Sequence, residues 1–296
     1  MCLYPRVSAS KNINDFVNRD GPVAPTAQQN LRVGVGGVGT IGGAVAARLD
    51  QGIPGLRLVA VAARDVDKAR RRMEGFRTPV PVVSLGKLAG DADVIVECAP
   101  AGAFAEVAEP AIRAGRIFVP VSVGALLDSP GLIDLAGETG ARIIVPSGAL
   151  LGLDAVRAAA EGDIRSVTMI TRKPPAALAG APYLEEHGIS VDGLTAPLKV
   201  FAGNARDGAR GFPANMNVAA ALSLAGIGPE RTRLEIWADP GLTYNTHDIE
   251  VDADSARFRM TIENVPTTEN PRTGRITALS VIAVLRGLAA PLKVGT

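Results

Sequence analysis

Two features of this chain carry residue types spaced for chemistry: a glycine run between apolar segments, and a histidine set into a later alternating segment. The glycines fall in two overlapping G-x-G-x-x-G frames, Gly34-Gly36-Gly39 and Gly37-Gly39-Gly42. The first frame would put Thr40, Ile41, Gly42 and Gly43 inside the following helix, where each glycine costs about 1 kcal/mol relative to alanine. The second leaves Leu31 to Gly36 as a strand and predicts a helix from Ala44, so it is preferred. In it Gly37 makes the tight turn, Gly39 lets the backbone approach a pyrophosphate, and Gly42 permits close helix–strand packing. The helix N-terminus, with Thr40 and Ile41 leading into it, supplies N–H groups and partial positive charge to the anion. With 33 glycines in 296 residues a bare match carries little weight. The strand before it, the helix after it and the second strand beyond point to a dinucleotide site.

The end of that second strand bears on the cofactor. About 20 residues past such a loop, an NAD-preferring site carries Asp or Glu for the ribose hydroxyls. Here the segment reads Ala62-Ala63-Arg64-Asp65. With Ala63 at the acidic position, Arg64 suits a 2′-phosphate; Asp65 is the rival for the ribose role if the strand runs longer. NAD or NADP is therefore expected, with NADP accepted.

The two histidines differ. His187 sits in the polar stretch Glu185-Glu186-His187-Gly188 and reads as a solvated residue. In Thr243 to Val251, strict alternation puts Asn245, His247, Ile249 and Val251 on one face, whose apolar end should point inward. An inward histidine after a dinucleotide-binding segment can move protons near neutral pH, although a satisfied core histidine fits the pattern equally well. Two histidines and two cysteines offer no zinc signature of the usual spacing. Cys98, in the run Val94 to Ala99, reads as a small buried hydrophobe.

Strands alternating with helices must position these residues. Leu31–Gly36, Leu56–Ala62, Val94–Cys98, Ile117–Val121 and Ile143–Val145 read as strands separated by helical stretches, which implies right-handed βαβ units and a parallel sheet. After about Gly148 the pattern changes to α+β. Strands are expected at Val167–Thr171, Leu198–Ala202, Leu234–Ala238, Thr243–Val251 and Arg257–Val265, the last two linked as a hairpin. The fold class is thus α/β, a Rossmann-type parallel-sheet domain over 31–148 followed by an α+β domain with a largely antiparallel sheet over 149–272. A C-terminal helix within 273–288 is expected to pack back on the first domain, and residues 1–30 to form a tail outside the fold.

Composition agrees. Hydrophobic residues are 47% and charged residues 21%, against disorder; the net charge of +1 offers no nucleic-acid footprint. Aromatics are only 4%, so the core is built from Ala, Val, Leu and Ile. The longest uncharged stretch, Gly211 to Pro229, contains prolines and asparagines and suits a soluble helix rather than a membrane span. Residues 1–30 lack the continuous apolar core of a secretion signal, and a cytoplasmic protein is expected.

Several stretches together carry a resemblance. They are Gly37-Val38-Gly39-Thr40-Ile41-Gly42, Ser122-Val123-Gly124-Ala125, Ser147-Gly148-Ala149 with Gly152-Leu153-Asp154, and Arg172-Lys173-Pro174-Pro175. Phe212 to Ala220, Asn245-Thr246-His247-Asp248-Ile249, and Asn264-Val265-Pro266 with Glu269-Asn270-Pro271 complete the set. From Leu31 onward the chain resembles the L-aspartate dehydrogenase family. The resemblance implies NAD(P)-dependent oxidative deamination of L-aspartate to oxaloacetate and ammonia through iminoaspartate, an intermediate that would link it to pyridine nucleotide biosynthesis. It also implies His247 as the catalytic residue and Ala149 and Asn217 as cofactor contacts.

The two carboxylates of aspartate need donors or cations. Lys173, Lys199, Arg172 and Arg275 are available, with Ser147 and Asn215 as neutral donors; Ser147, Lys173 and Asn215 are taken as substrate candidates. A homo-oligomer, a dimer formed through the second domain, is expected, with a small molecule as the other partner. Two rivals keep the fold: a reductase or dehydrogenase for another amino or oxo dicarboxylate, and a non-catalytic cofactor-sensing protein.

Overall fold

The computed structural model describes residues 30–213, 216–270 and 273–295. The tail expected over 1–30 lies outside these residues, save Asn30. The first domain opens with β1 (Leu31–Gly36), α1 (Thr40–Asp50), β2 (Leu56–Ala62), α2 (Val66–Arg72), β3 (Val82–Val83) and β4 (Val94–Glu97). It continues through α3 (Phe104–Arg113), β5 (Ile117–Pro120), α4 (Val123–Leu127), α5 (Gly131–Thr139) and β6 (Arg142–Ile143). Its six strands pair in the order β3-β2-β1-β4-β5-β6, all parallel. The chain reverses its winding between β1 and β4, the crevice where such sheets bind ligands.

Alternation in β1 explains this layer. Val33 and Val35 enter one core with Val45, Leu49, Val61, Val94 and Val96. Gly34 and Gly36 face the other side, where a Cβ at Gly34 would meet Leu88 at 2.9 Å. There Leu88, Ile95, Phe104, Val107 and Phe118 form a second core.

The second domain comprises α6 (Leu153–Ala159), β7 (Ile164–Lys173), α7 (Pro182–Glu186), β8 (Leu198–Asn204), α8 (Ala205–Gly211) and α9 (Asn217–Ala225). It ends with β9 (Thr232–Ala238), β10 (Asn245–Ala253) and β11 (Arg257–Asn264), and α10 (Arg275–Ala289) follows. The strand order is β11-β10-β7-β9-β8; every pair is antiparallel except β7–β9. Val167, Met169, Ile236, Ile249 and Val251 bury one face of this sheet with Leu222 of α9. Helix α10 crosses back, and its Val281 and Leu285 enter the first-domain core beside Val33 and Val96.

One expectation needs correction. Helix α1 begins at Thr40, not Ala44, so Gly42 and Gly43 are helical after all. The reason is steric: a Cβ at Gly42 would lie 1.8 Å from the Gly37 carbonyl oxygen. Packing of the helix onto the turn overrides propensity. The last strand of the first sheet is also short, ending at Ile143 rather than Val145.

These glycines separate in experiment. Gly42→Ala overpacks the turn and should lower the melting midpoint by about 5 °C or more. Nothing lies within 4 Å of a Cβ at Gly39. Gly39→Ala should therefore leave thermal melting nearly unchanged while weakening dinucleotide binding, measured by calorimetric titration.

Candidate active site

Gly37 adopts φ +92°, and a Cβ there would lie 2.6 Å from the Cys98 carbonyl oxygen, so the turn is tight against the end of β4. Gly39 is the N-cap of α1 and offers no side-chain cap. The first-turn N–H groups, including those of Thr40 and Ile41, thus face open space beside a glycine with nothing over it. This cradle fits a pyrophosphate: a side chain at Gly39 would fill it, and the helix dipole favours an anion there.

Beyond β2, Asp65 is already used: its Oδ1 accepts from the Lys68 N–H at 2.9 Å and caps α2. Arg64 reaches across the crevice to Glu106 of α3, with Nη2 donating to Oε1 at 2.5 Å; both side chains are largely exposed. Arg64 and Glu106 thus face each other where the two halves of the parallel sheet diverge.

At the end of β4 lies a residue that sequence reasoning passed over. Glu97 is fully buried. Its Oε2 accepts from the Ser122 N–H and its Oε1 from the Ser122 hydroxyl, both at 3.0 Å. Burial pushes its carboxyl up to about 7, with the Ser122 bonds opposing. The signal was present in the sequence: an acidic residue inside the apolar run Val94 to Ala99. From the turn that Glu97 secures, the Gly124 N–H donates to Asn217 Oδ1 at 3.0 Å, joining the first domain to the start of α9.

The domains meet at a cavity of about 150 Å³. Ile41, Val121 and Val123 line it from the first domain, and Ser147, Gly148 and Ala149 from the connecting segment. Asn217, Lys173, Asn245, His247 and Asn264 line it from the second domain, with Thr273, Gly274 and Thr277 at the start of α10. Strand register assembles the polar wall. His247 of β10 stands opposite Thr171 of β7, and Asn245 stands opposite Asn264 of β11. Continuing the β10–β7 register by one position sets Lys173 opposite Asn245. Lys173, Asn245 and Asn264 therefore form one row across three strands, with Thr171 and His247 in the next row on the same face.

His247 is 2% exposed, and its Nδ1 is hydrogen-bonded to Thr171 Oγ1 at 3.2 Å, which leaves Nε2 as the ring nitrogen available to a ligand. Burial first, and the Lys173 charge second, hold its pKa down to about 3. This differs from the neutral-range titration expected from the sequence. The main cause is desolvation of the enclosed ring, and the buried Lys173 cation, which alternation along one strand cannot reveal, adds to it. Lys173 is 4% exposed, and burial lowers its ammonium to about 8. At neutral pH the pair is a cation beside a neutral base.

Among the cations the sequence offered, Lys173 lines the cavity. Arg172 points to the opposite face, over the Trp237 ring at 4.9 Å and near Asp239. Lys199 pairs with Glu235, and Arg275 Nε donates to the Pro266 carbonyl. His187 stacks on Tyr183 at the surface, with ring centroids 3.9 Å apart. Asn215 lies outside the described residues. Asn264 and Thr171 were missed because their relation to His247 exists only across strands.

A sequence profile described as "Aspartate dehydrogenase, C-terminal" matches residues 154–288. A second, "Homoserine dehydrogenase, NAD binding domain", matches residues 37–146. The L-aspartate dehydrogenase of Bradyrhizobium diazoefficiens is 56% identical over 271 residues, covering 92% of this chain and 96% of that protein. L-aspartate dehydrogenase 3 of Bordetella bronchiseptica is 54% identical over 272 residues, covering 92% of this chain and 100% of its own length. The crystal structure of aspartate dehydrogenase from Thermotoga maritima shares the fold, with a TM-score of 0.70 at 23% identity, covering 90% of this chain and 99% of that one. Sharing more than half its residues with relatives that it spans almost end to end, the chain belongs to the L-aspartate dehydrogenase family.

Proposed function

We propose that this protein catalyses the NAD(P)-dependent oxidative deamination of L-aspartate to oxaloacetate and ammonia by way of iminoaspartate. One observation carries the reading: Lys173 and His247, a buried cation and a buried neutral base, share the cavity that adjoins the glycine turn. The Lys173 ammonium binds a substrate carboxylate, with Ser147 as a neutral donor. Two carboxylates offset the field of Lys173 and raise the proton affinity of the His247 ring in the complex. His247 Nε2 then takes a proton from the substrate ammonium, which leaves the neutral amine needed for oxidation. Bound nicotinamide supplies the acceptor for the hydride leaving Cα. Once that first proton has passed to solvent, the neutral His247 takes a proton from water as its oxygen bonds to the imine carbon, and returns it to the departing nitrogen. Thr171 holds the ring in place throughout.

Asn217 and Ala149 contact the cofactor in this reading, together with Gly37, Gly39, Thr40, Ile41 and Gly42. Arg64 takes the 2′-phosphate of NADP. Its exposed pair with Glu106 contributes about 0–1 kcal/mol, whereas a charge-assisted bond to phosphate contributes about 1.5–3 kcal/mol, so the phosphate wins. Among the described residues no helix is long and apolar enough to cross a membrane. We place the enzyme in the cytoplasm as a homodimer. Half-buried Ile170 and Trp237, on the sheet face turned from the core, support a second-domain contact.

His247→Ala should cut turnover by about a hundredfold or more with cofactor affinity little changed, while His187→Ala should be nearly silent. Near-normal turnover would make His247 a core residue only. For Lys173 the sign follows from its lowered pKa: the ammonium is present below about 8 and lost above it. Affinity for succinate, which has no amine to titrate, should hold steady between about pH 6 and 8, where both its carboxylates are ionised, and then fall by about tenfold per pH unit. Lys173→Met should abolish that dependence; a flat wild-type profile would remove Lys173 from the carboxylate site. Arg64→Ala should weaken NADP by about ten- to a hundredfold and NAD by less than about threefold, read by titrating both cofactors. Equal losses would mean that the arginine serves the loop instead.

A further inference from the structure

Asn264 presents a feature that the reading above leaves unused. It is the last residue of β11 and 4% exposed. Its Nδ2 donates to the Ala149 carbonyl oxygen at 3.0 Å. That bond settles the amide orientation, because the reversed amide would set two oxygens face to face. Oδ1 is buried, and no group among the described residues donates to it. It is turned toward Gly274, where a Cβ would stand 3.0 Å away, and both residues line the cavity. A tie to Ala149 needs only a donor. The amide brings a buried acceptor as well, which costs free energy until an N–H meets it.

We propose that Asn264 binds the α-amino group of the substrate, with Oδ1 accepting a hydrogen bond from its N–H. Carboxylates are acceptors and cannot serve this oxygen. Lys173 and Asn264 stand two strands apart, about 10 Å, with Asn245 between them. The wall therefore offers a cation at one end and an acceptor at the other, the polarity of an amino dicarboxylate with a hydrogen bond at each end. Gly274 keeps the acceptor open.

The inference rests on the aspartate reading and deepens it. Its test uses the full chain loaded with reduced dinucleotide, so that ligands bind without turnover. L-Aspartate and succinate are titrated calorimetrically into wild type, Asn264→Leu and Gly274→Ala. The second variant covers Oδ1 while leaving the Ala149 tie intact. Both should weaken L-aspartate by about tenfold or more and succinate by less than about twofold. Binding of the reduced cofactor and of its 3-acetylpyridine analogue, which lacks the carboxamide N–H, should stay as in wild type. Equal losses for L-aspartate and succinate would overturn the inference in favour of a structural tie. A loss confined to the natural cofactor would overturn it in favour of the nicotinamide carboxamide. Failure of wild type itself to bind L-aspartate would instead refute the substrate assignment, and the role of Asn264 with it.

Discussion

Burying an ammonium beside an imidazole is the constraint around which the second domain is arranged. Burial strips water from both groups, and the Lys173 charge adds to the cost of a second cation, so Lys173 keeps its proton and His247 goes without one. The arrangement is unfavourable for an isolated pair of strands. It persists because β7 and β10 are two of the three inner strands of a five-stranded sheet whose covered face is packed with Val167, Met169, Ile249, Val251 and helix α9. The same pairing fixes Thr171 against the imidazole, so charge state and ring orientation come from one register. A dicarboxylate relieves the repulsion, and the resting electrostatics therefore already favour the ligand class.

The first domain meets this arrangement through an apolar contact, in which Val123 and Leu127 pack against Ala220 and Ala221 of α9, and through polar links beside it. Glu97 holds the Ser122 turn, and the Gly124 N–H of the same segment reaches Asn217 at the head of α9. The Gly148 N–H donates to Ser280 of α10, and Asn264 grips Ala149 one residue later. Each link joins a backbone group to a side chain that also borders or supports the cavity. Cofactor-side and substrate-side residues are thus aligned by hydrogen bonds of fixed length.

Local chemistry was readable in the sequence, and its limits follow from what is local. The alternation Asn245, His247, Ile249, Val251 placed the histidine inward, because burial on one sheet face imposes a period of two. The glycine loop was recognisable, and Gly37 and Gly42 each exclude a side chain, but the helix-propensity argument that chose its frame failed because Gly42 and Gly43 are helical. Propensity misplaced the start of α1 because the contact between Gly42 and the Gly37 carbonyl lies outside any helix scale. Arg172 and Lys173 were equivalent candidates until strand direction put one against Trp237 and the other in the cavity. The lowered pKa of His247 rests on tertiary burial and on Lys173, 74 positions away, and the orientation of the Asn264 amide on Ala149, 115 positions away, distances at which periodicity is silent.

Helix α10 has a consequence for the order in which the molecule is made. Val281 and Leu285 complete the core that contains Val33, Val35 and Val96, yet the ribosome produces them after the whole second domain. The nascent parallel sheet must therefore wait with part of one apolar face uncovered beside α1, the kind of surface that chaperones recognise and neighbouring chains adhere to. Only when α10 arrives do the two crossings between domains close. Maturation of the nucleotide-binding half and of the catalytic half then becomes a single event.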